Sequence, residues 1–92
     1  MRSRYSAYSK GLTGYLLRTW DPSTRPDRLD LEPDIRWTGL ELLARTGGGE
    51  ADETGTVEFS AHYRTGERAG VLHEISRFVR HEGGWAYLDG TS

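Results

Sequence analysis

The chain contains no cysteine. That excludes disulfides and thiolate zinc sites, and it says little about compartment beyond fitting a reducing cytosol. No apolar run approaches the roughly 20 residues of a membrane-spanning helix. No signal peptide is visible at the start, so a cytoplasmic location is the expectation. Neither sign of charge dominates: 12 basic side chains stand against 14 acidic ones. A net charge of −2 argues against a broad nucleic-acid or acidic-membrane surface. Proline is scarce, and Pro22, Pro26 and Pro33 all fall in one short stretch. Regular structure is broken there.

What is present fits one domain, residues 1–92. A chain of this size buries about two-thirds of its unfolded surface, enough for one modest core. From Ser3 to Trp20 the pattern is helical, with Tyr5, Tyr8, Leu12, Tyr15, Leu16 and Thr19 at three- and four-residue spacing. Gly11 and Gly14 interrupt it. This predicts a short first helix, a break near "KGLTG" with Thr13 as N-cap, and a second helix ending near Trp20. "DPSTRPD" then makes a rigid turn. Pro33 keeps the charged stretch from 27 to 36 from forming a long element.

Four strands are predicted after it. The first runs from about Trp37 to Arg45, followed by a polar, glycine-rich loop, "TGGGEADETG". "TVEFSAHYR" at 56–64 alternates strictly, with Val57, Phe59, Ala61 and Tyr63 on one face. "TGERAG" turns the chain into a third strand from Val71 to about His81. Glu82 and Gly83 form a hairpin turn, and the last strand runs from Trp85 to Asp89. Helices first and strands after mean α+β, with an antiparallel meander covered on one face by helices.

The second strand sets the inner face. A register with Tyr63 opposite Leu72 puts Phe59 opposite Ser76 and Val57 opposite Phe78. It also sets Glu58 against Arg77 as an opposite-charge pair. Across the last hairpin, Phe78 faces Tyr87 and Ser76 faces Asp89. The inner wall is then Phe59, Tyr63, Leu72, Phe78, Trp85 and Tyr87, interrupted by Glu74, Ser76 and Asp89. A buried carboxylate needs partners. Arg4, Tyr5, Tyr8 and Tyr15 are the donors on the covering helices, and the mouth of the resulting cone is the natural pocket.

"MRSRYSAY" at 1–8, "YLLRTWDPSTRP" at 15–26, "GTVEFSAHYR" at 55–64, "LHEISRFVR" at 72–80 and "WAYLDG" at 85–90 resemble the YchJ-like family of bacterial proteins. Its members are largely of unknown function. The resemblance spans almost the whole chain. It implies a fold similar to nuclear transport factor 2, also called cystatin-like or SnoaL-like: N-terminal helices packed on a curved four-stranded antiparallel sheet. Many relatives carry cysteine-rich zinc motifs, named for the SecA C-terminus, outside this domain. Without cysteine, neither that zinc nor its partner binding carries over. Met1 falls where relatives are already mid-chain, which implies a short form or a central domain alone. Relatives usually read "TWHPSTRP", whereas this chain has Asp21 in place of the histidine.

The candidate ligand-binding residues are Arg4, Tyr8, Tyr15, Trp20, Glu74, Ser76 and Tyr87. Glu74 and Asp89 are the candidate general bases, since folds of this type host isomerases and cyclases. Fold alone does not carry function, and the leading reading is a non-catalytic binding module in which Glu74 pairs with Arg4 or a tyrosine. The alternative is a small isomerase, cyclase or dehydratase. Ser76 has no histidine expected beside it to make a nucleophile. His62 and His73 are expected opposite each other on the outer face, without a third ligand, so no metal and no cofactor is expected. His81 is expected to be exposed at a turn. "DPSTRP" lacks the glycines and lysine of a phosphate cradle and reads as a corner with Arg25 salt-bridged. Trp20 and Trp37 are expected in the core or the pocket wall. Ile75, Val79 and Leu88, with Leu40 and Leu42, make the outer face apolar, and a homodimer or partner protein is expected to cover it.

Overall fold

The computed structural model describes residues 2–31 and 34–91; the breaker Pro33 lies outside them. Two helices open the chain, α1 (Arg2–Lys10) and α2 (Thr13–Arg18). Gly11, at φ +70°, makes the break between them. Thr13 was expected as the N-cap, but it is already helical: Leu12 occupies the cap position with no side-chain bond. Helices of nine and six residues are too short to persist alone in water. Burial of Ala7 and Leu16 holds them to the rest of the domain.

Four antiparallel strands follow in sequential order: β1 (Ile35–Gly47), β2 (Thr54–Thr65), β3 (Arg68–His81) and β4 (Gly84–Thr91). The α+β cone read from the sequence is therefore the fold, with longer strands and shorter loops. Along β2 the strict alternation does what it promised, and Phe59 and Ala61 form the buried centre of the inner face. Glu82 and Gly83 both take positive φ, as the tightest hairpin turn with matching twist requires.

The β2–β3 register differs from the expected one by two residues. Ala61, not Tyr63, sits opposite Leu72; Phe59 faces Glu74 and Val57 faces Ser76. The cause is the turn. Thr65 pairs with Arg68, so the hairpin is closed by Gly66 and Glu67 alone, and Gly66 takes φ +60°. An even shift keeps every side chain on its face and changes only its neighbours. Glu58 therefore meets His73 (2.6 Å), while Arg77 forks onto Asp89. His62 and His73 are not opposite each other: His62 is paired with Glu41, at 2.5 Å.

Bulges decide three further placements. Between β3 and β4 the pairing passes from Phe78–Tyr87 to Arg77–Asp89, so Leu88 is an extra residue. Asp89 is thereby carried off the inner face and joins Arg77, and Gly90 takes the position opposite Ser76. The first bulge in β1, between Trp37 and Gly39, sets Leu40 opposite Ala61 and Leu42 opposite Phe59, so both leucines belong to the inner face rather than the outer one.

At the far edge, Thr19 to Asp21 lie along β4. Tyr87 N–H donates to the Thr19 carbonyl (2.8 Å) and Asp21 N–H to the Tyr87 carbonyl (2.7 Å). "DPSTRP" is a rigid corner, as expected. Arg25, however, makes no salt bridge among the described residues: Nε and Nη2 both donate to the Trp20 carbonyl, at 3.1 and 2.8 Å. Thr24 Oγ1 donates to the Leu88 carbonyl (2.6 Å) and closes the corner onto β4.

Candidate functional site

The helices and the inner sheet face enclose a cavity of about 140 Å³. Arg4, Tyr5 and Tyr8 line it from α1, Trp37 from β1, Phe59 and Ala61 from β2, Leu72, Glu74 and Ser76 from β3, and Tyr87 from β4. The aromatic side of the wall is an edge-to-face chain. Tyr5 and Tyr8 meet Trp37 at 6.2 and 6.5 Å, and Trp37 meets Tyr63 at 5.6 Å. Tyr87 lies between Trp20 (4.9 Å) and Phe78 (5.8 Å). Such contacts hold rings at fixed angles and fix the cavity's shape.

Arg4 is the central side chain. It is only 4% exposed. Nη1 donates to the Leu16 carbonyl (3.2 Å) and to Thr19 Oγ1 (2.6 Å), tying α1 to the end of α2. The guanidinium lies over the Tyr87 ring (4.5 Å) and near the Trp20 ring (5.4 Å). Those π-faces offset part of its desolvation. Among the described residues Nη2, which is buried, has no hydrogen-bond partner, and neither has the buried Trp20 Nε1. The expected pair with Glu74 does not form: Glu74 instead accepts from Ser76 Oγ at 2.5 Å. Burial lowers the Arg4 pKa, and the nearby Tyr8, Tyr87 and Tyr15 oppose the shift. An arginine still carries its charge at neutral pH. Burial, helped by the Glu74 charge, pushes the Tyr87 hydroxyl up to about 12, so it is a neutral donor there.

Room for the Glu74 carboxylate comes from β4. A Cβ at Gly90 would collide with it, so the glycine opposite Ser76 makes its place. Of the expected ligand-binding residues, the fold brings Arg4, Tyr8, Glu74, Ser76 and Tyr87 to one cavity. Trp20 touches it through Arg4 and Tyr87. Tyr15 belongs elsewhere, to a larger cleft of about 510 Å³ beside the β1–β2 loop. Asp89 is not in the cavity; its carboxylate is held by Arg77, which keeps its pKa below the usual carboxylate range. Sequence reasoning passed over the cleft because "TGGG" read as a flexible loop. The arginine just before those glycines, Arg45, was the available signal. Among the described residues, no group of three or more side chains is placed to hold a metal ion.

The chain matches the protein family described as YchJ, middle NTF2-like domain, over residues 1–90. A UPF0225 protein of Streptomyces coelicolor is 57% identical over 90 residues, which cover 98% of this chain and 69% of that protein. One from Chromobacterium violaceum is 50% identical, with the same coverage of each chain. The solution structure of a SEC-C motif containing protein from Rhodopseudomonas palustris superposes with a TM-score of 0.85 at 32% identity. That likeness covers 100% of this chain and 74% of the other. A crystal structure of a SEC-C motif containing protein from Psychrobacter arcticus gives a TM-score of 0.76 at 31% identity, over 97% and 56% of the two chains.

Proposed function

Because the chain belongs to the family of the YchJ middle, NTF2-like domain, we propose that it is a non-catalytic binding module whose cone cavity receives a small polar group of a ligand. One observation carries this reading: the cavity is lined by a buried guanidinium that lacks its full set of partners. Leaving a buried donor unpaired costs about 1–3 kcal/mol, which an acceptor from outside recovers. The cavity volume, about 140 Å³, suits a few heavy atoms rather than a whole substrate. Its groups support the same reading. Ser76 is hydrogen-bonded to Glu74 and has no histidine partner, and Tyr87 is held neutral.

The enzymatic alternative rests on Glu74 alone. It is half-buried, lines the cavity, and bonds to Ser76 rather than to Arg4. As a base it would have Tyr8 or Tyr87 as proton donor to a developing oxyanion. A screen of small polar fragments by ¹⁵N NMR separates the two readings. Binding predicts shifts of the Tyr8, Glu74, Ser76 and Tyr87 amides that Glu74→Gln weakens without any turnover. An isomerisation or hydrolysis activity lost in Glu74→Gln at unchanged Tm would overturn the non-catalytic reading.

The proposal includes a cytoplasmic setting and a homodimer formed through the outer sheet face. No described helix is long and apolar enough to cross a membrane. On the outer face Val71 is 56% exposed, and Ile75 and Val79 lie beside it, half-buried.

A further inference from the structure

The larger cleft differs from the cone cavity in size and in charge. It measures about 510 Å³, within the range of sites that take a whole small molecule. Its wall holds two arginines, Arg4 and Arg45, and no aspartate or glutamate. That is unexpected in a chain where acidic residues outnumber basic ones, 14 to 12. Neither arginine makes an ion pair among the described residues. Arg4 Nη2 is buried without a partner. Phe78 and Trp85 supply an apolar side.

The placement of Arg45 is specific. The second bulge of β1, between Leu42 and Ala44, sets Arg45 opposite Val57 on the inner face. Without that second bulge, the alternation running from Leu42 would have pointed it the other way. Bulges of this kind re-aim side chains beside sites. The backbone N–H groups of Gly48 and Gly49 are already used, by the Thr54 carbonyl and the Asp52 carboxylate. The two guanidinium groups are the cleft's cationic groups, with the hydroxyls of Ser3 and Tyr15 in the same wall.

We propose that this cleft binds an organic anion: an oxyanion head held between Arg4 and Arg45, and a flat apolar body against Phe78 and Trp85. Guanidinium groups match the geometry of carboxylate and phosphate oxygens, and an aromatic wall selects the body. The site shares Arg4 alone with the cone cavity, and its one unpartnered Nη2 serves a ligand on one side at a time.

The test is a ¹⁵N NMR titration of the chain with benzoate, phenyl phosphate, inorganic phosphate and benzamide. Benzoate or phenyl phosphate is expected to shift Arg45 to Gly49 and the Trp85 indole saturably, and the tighter of the two identifies the head group. Benzamide, uncharged and of the same shape, is expected to leave them in place. Inorganic phosphate should bind more weakly than phenyl phosphate. Arg45→Gln should weaken binding on the order of tenfold, the loss of one charge-assisted contact. Its Tm should not move, because Arg45 is exposed. The amides of Glu74 and Ser76 should not shift with either anion, which separates this cleft from the cone cavity. Equal shifts with benzamide, or unchanged affinity in Arg45→Gln, would overturn the proposal.

Discussion

Tyr87 shows how one side chain feels the whole interior. It is placed opposite Phe78, stacked edge-on against Trp20, and set under the Arg4 guanidinium. Burial dominates the result and pushes the hydroxyl up to about 12. In the unfolded chain a tyrosine titrates near about 10. Between those values the unfolded chain has released a proton that the folded chain keeps. Stability from this group is therefore full below pH 10 and is lost as pH rises to about 12. A ¹³C titration of the tyrosine ring carbons should show Tyr87 ionising last, and Tyr87→Phe should flatten the alkaline fall in stability. A Tyr87 midpoint near 10 would mean the ring is solvated. The residue types around it were legible in the alternation of β3 and β4. The partners of Arg4 were not. A sequence shows that a glutamate and an arginine share a cavity, but not that Ser76, two residues away on the same strand face, reaches the carboxylate first.

Within the strands, what was legible and what was not divides along one line. Side-chain period assigned the faces of β2 and β3 correctly, because a period of two is set by the pleat itself. Neighbours across strands depend on turn length and bulges, and these leave weaker marks. "TGERAG" contains a tight two-residue turn inside a stretch that reads as six residues of loop. The Leu88 bulge has no marker of its own, and it alone takes Asp89 off the inner face and into an ion pair with Arg77. The corrected register has a testable consequence at Gly70, which faces Tyr63. A Cβ there would lie 2.5 Å from Tyr63 Cζ and 2.6 Å from its hydroxyl. The ring cannot swing away freely, since Trp37 packs on it. Gly70→Ala should cost about 1–3 kcal/mol by denaturant unfolding, as overpacking does. In a Tyr63→Leu background the same change should cost much less, because the two sites couple through contact. Equal costs in both backgrounds would place the ring elsewhere.

For the molecule as a whole, the outer sheet face decides whether the domain acts alone. Leu40 and Leu42 no longer contribute to it, so its apolar content is lower than the sequence suggested. What remains is a mixed surface: Val71, Ile75 and Val79 among the pairs Glu41–His62, Glu58–His73 and Arg77–Asp89. A non-obligate interface has this composition, with an apolar centre and polar surroundings. A twofold contact through it would bury the same residues on both copies. Sedimentation at micromolar concentration should therefore show a reversible dimer. Ile75→Lys, which puts a charge at the apolar centre, should return it to a monomer. The Asp89 carboxylate also sets an acid limit: it is held below its usual pKa by Arg77, so its contribution is present above about 4 and lost as pH falls through its lowered value. If the Arg77–Asp89 pair frames the interface, dissociation should set in as pH falls toward that range, before the Tm of the monomeric Ile75→Lys variant collapses. A single monomeric species at every concentration would leave the outer face as solvated surface, and would direct attention to the two arginines of the cleft as the domain's means of recognition.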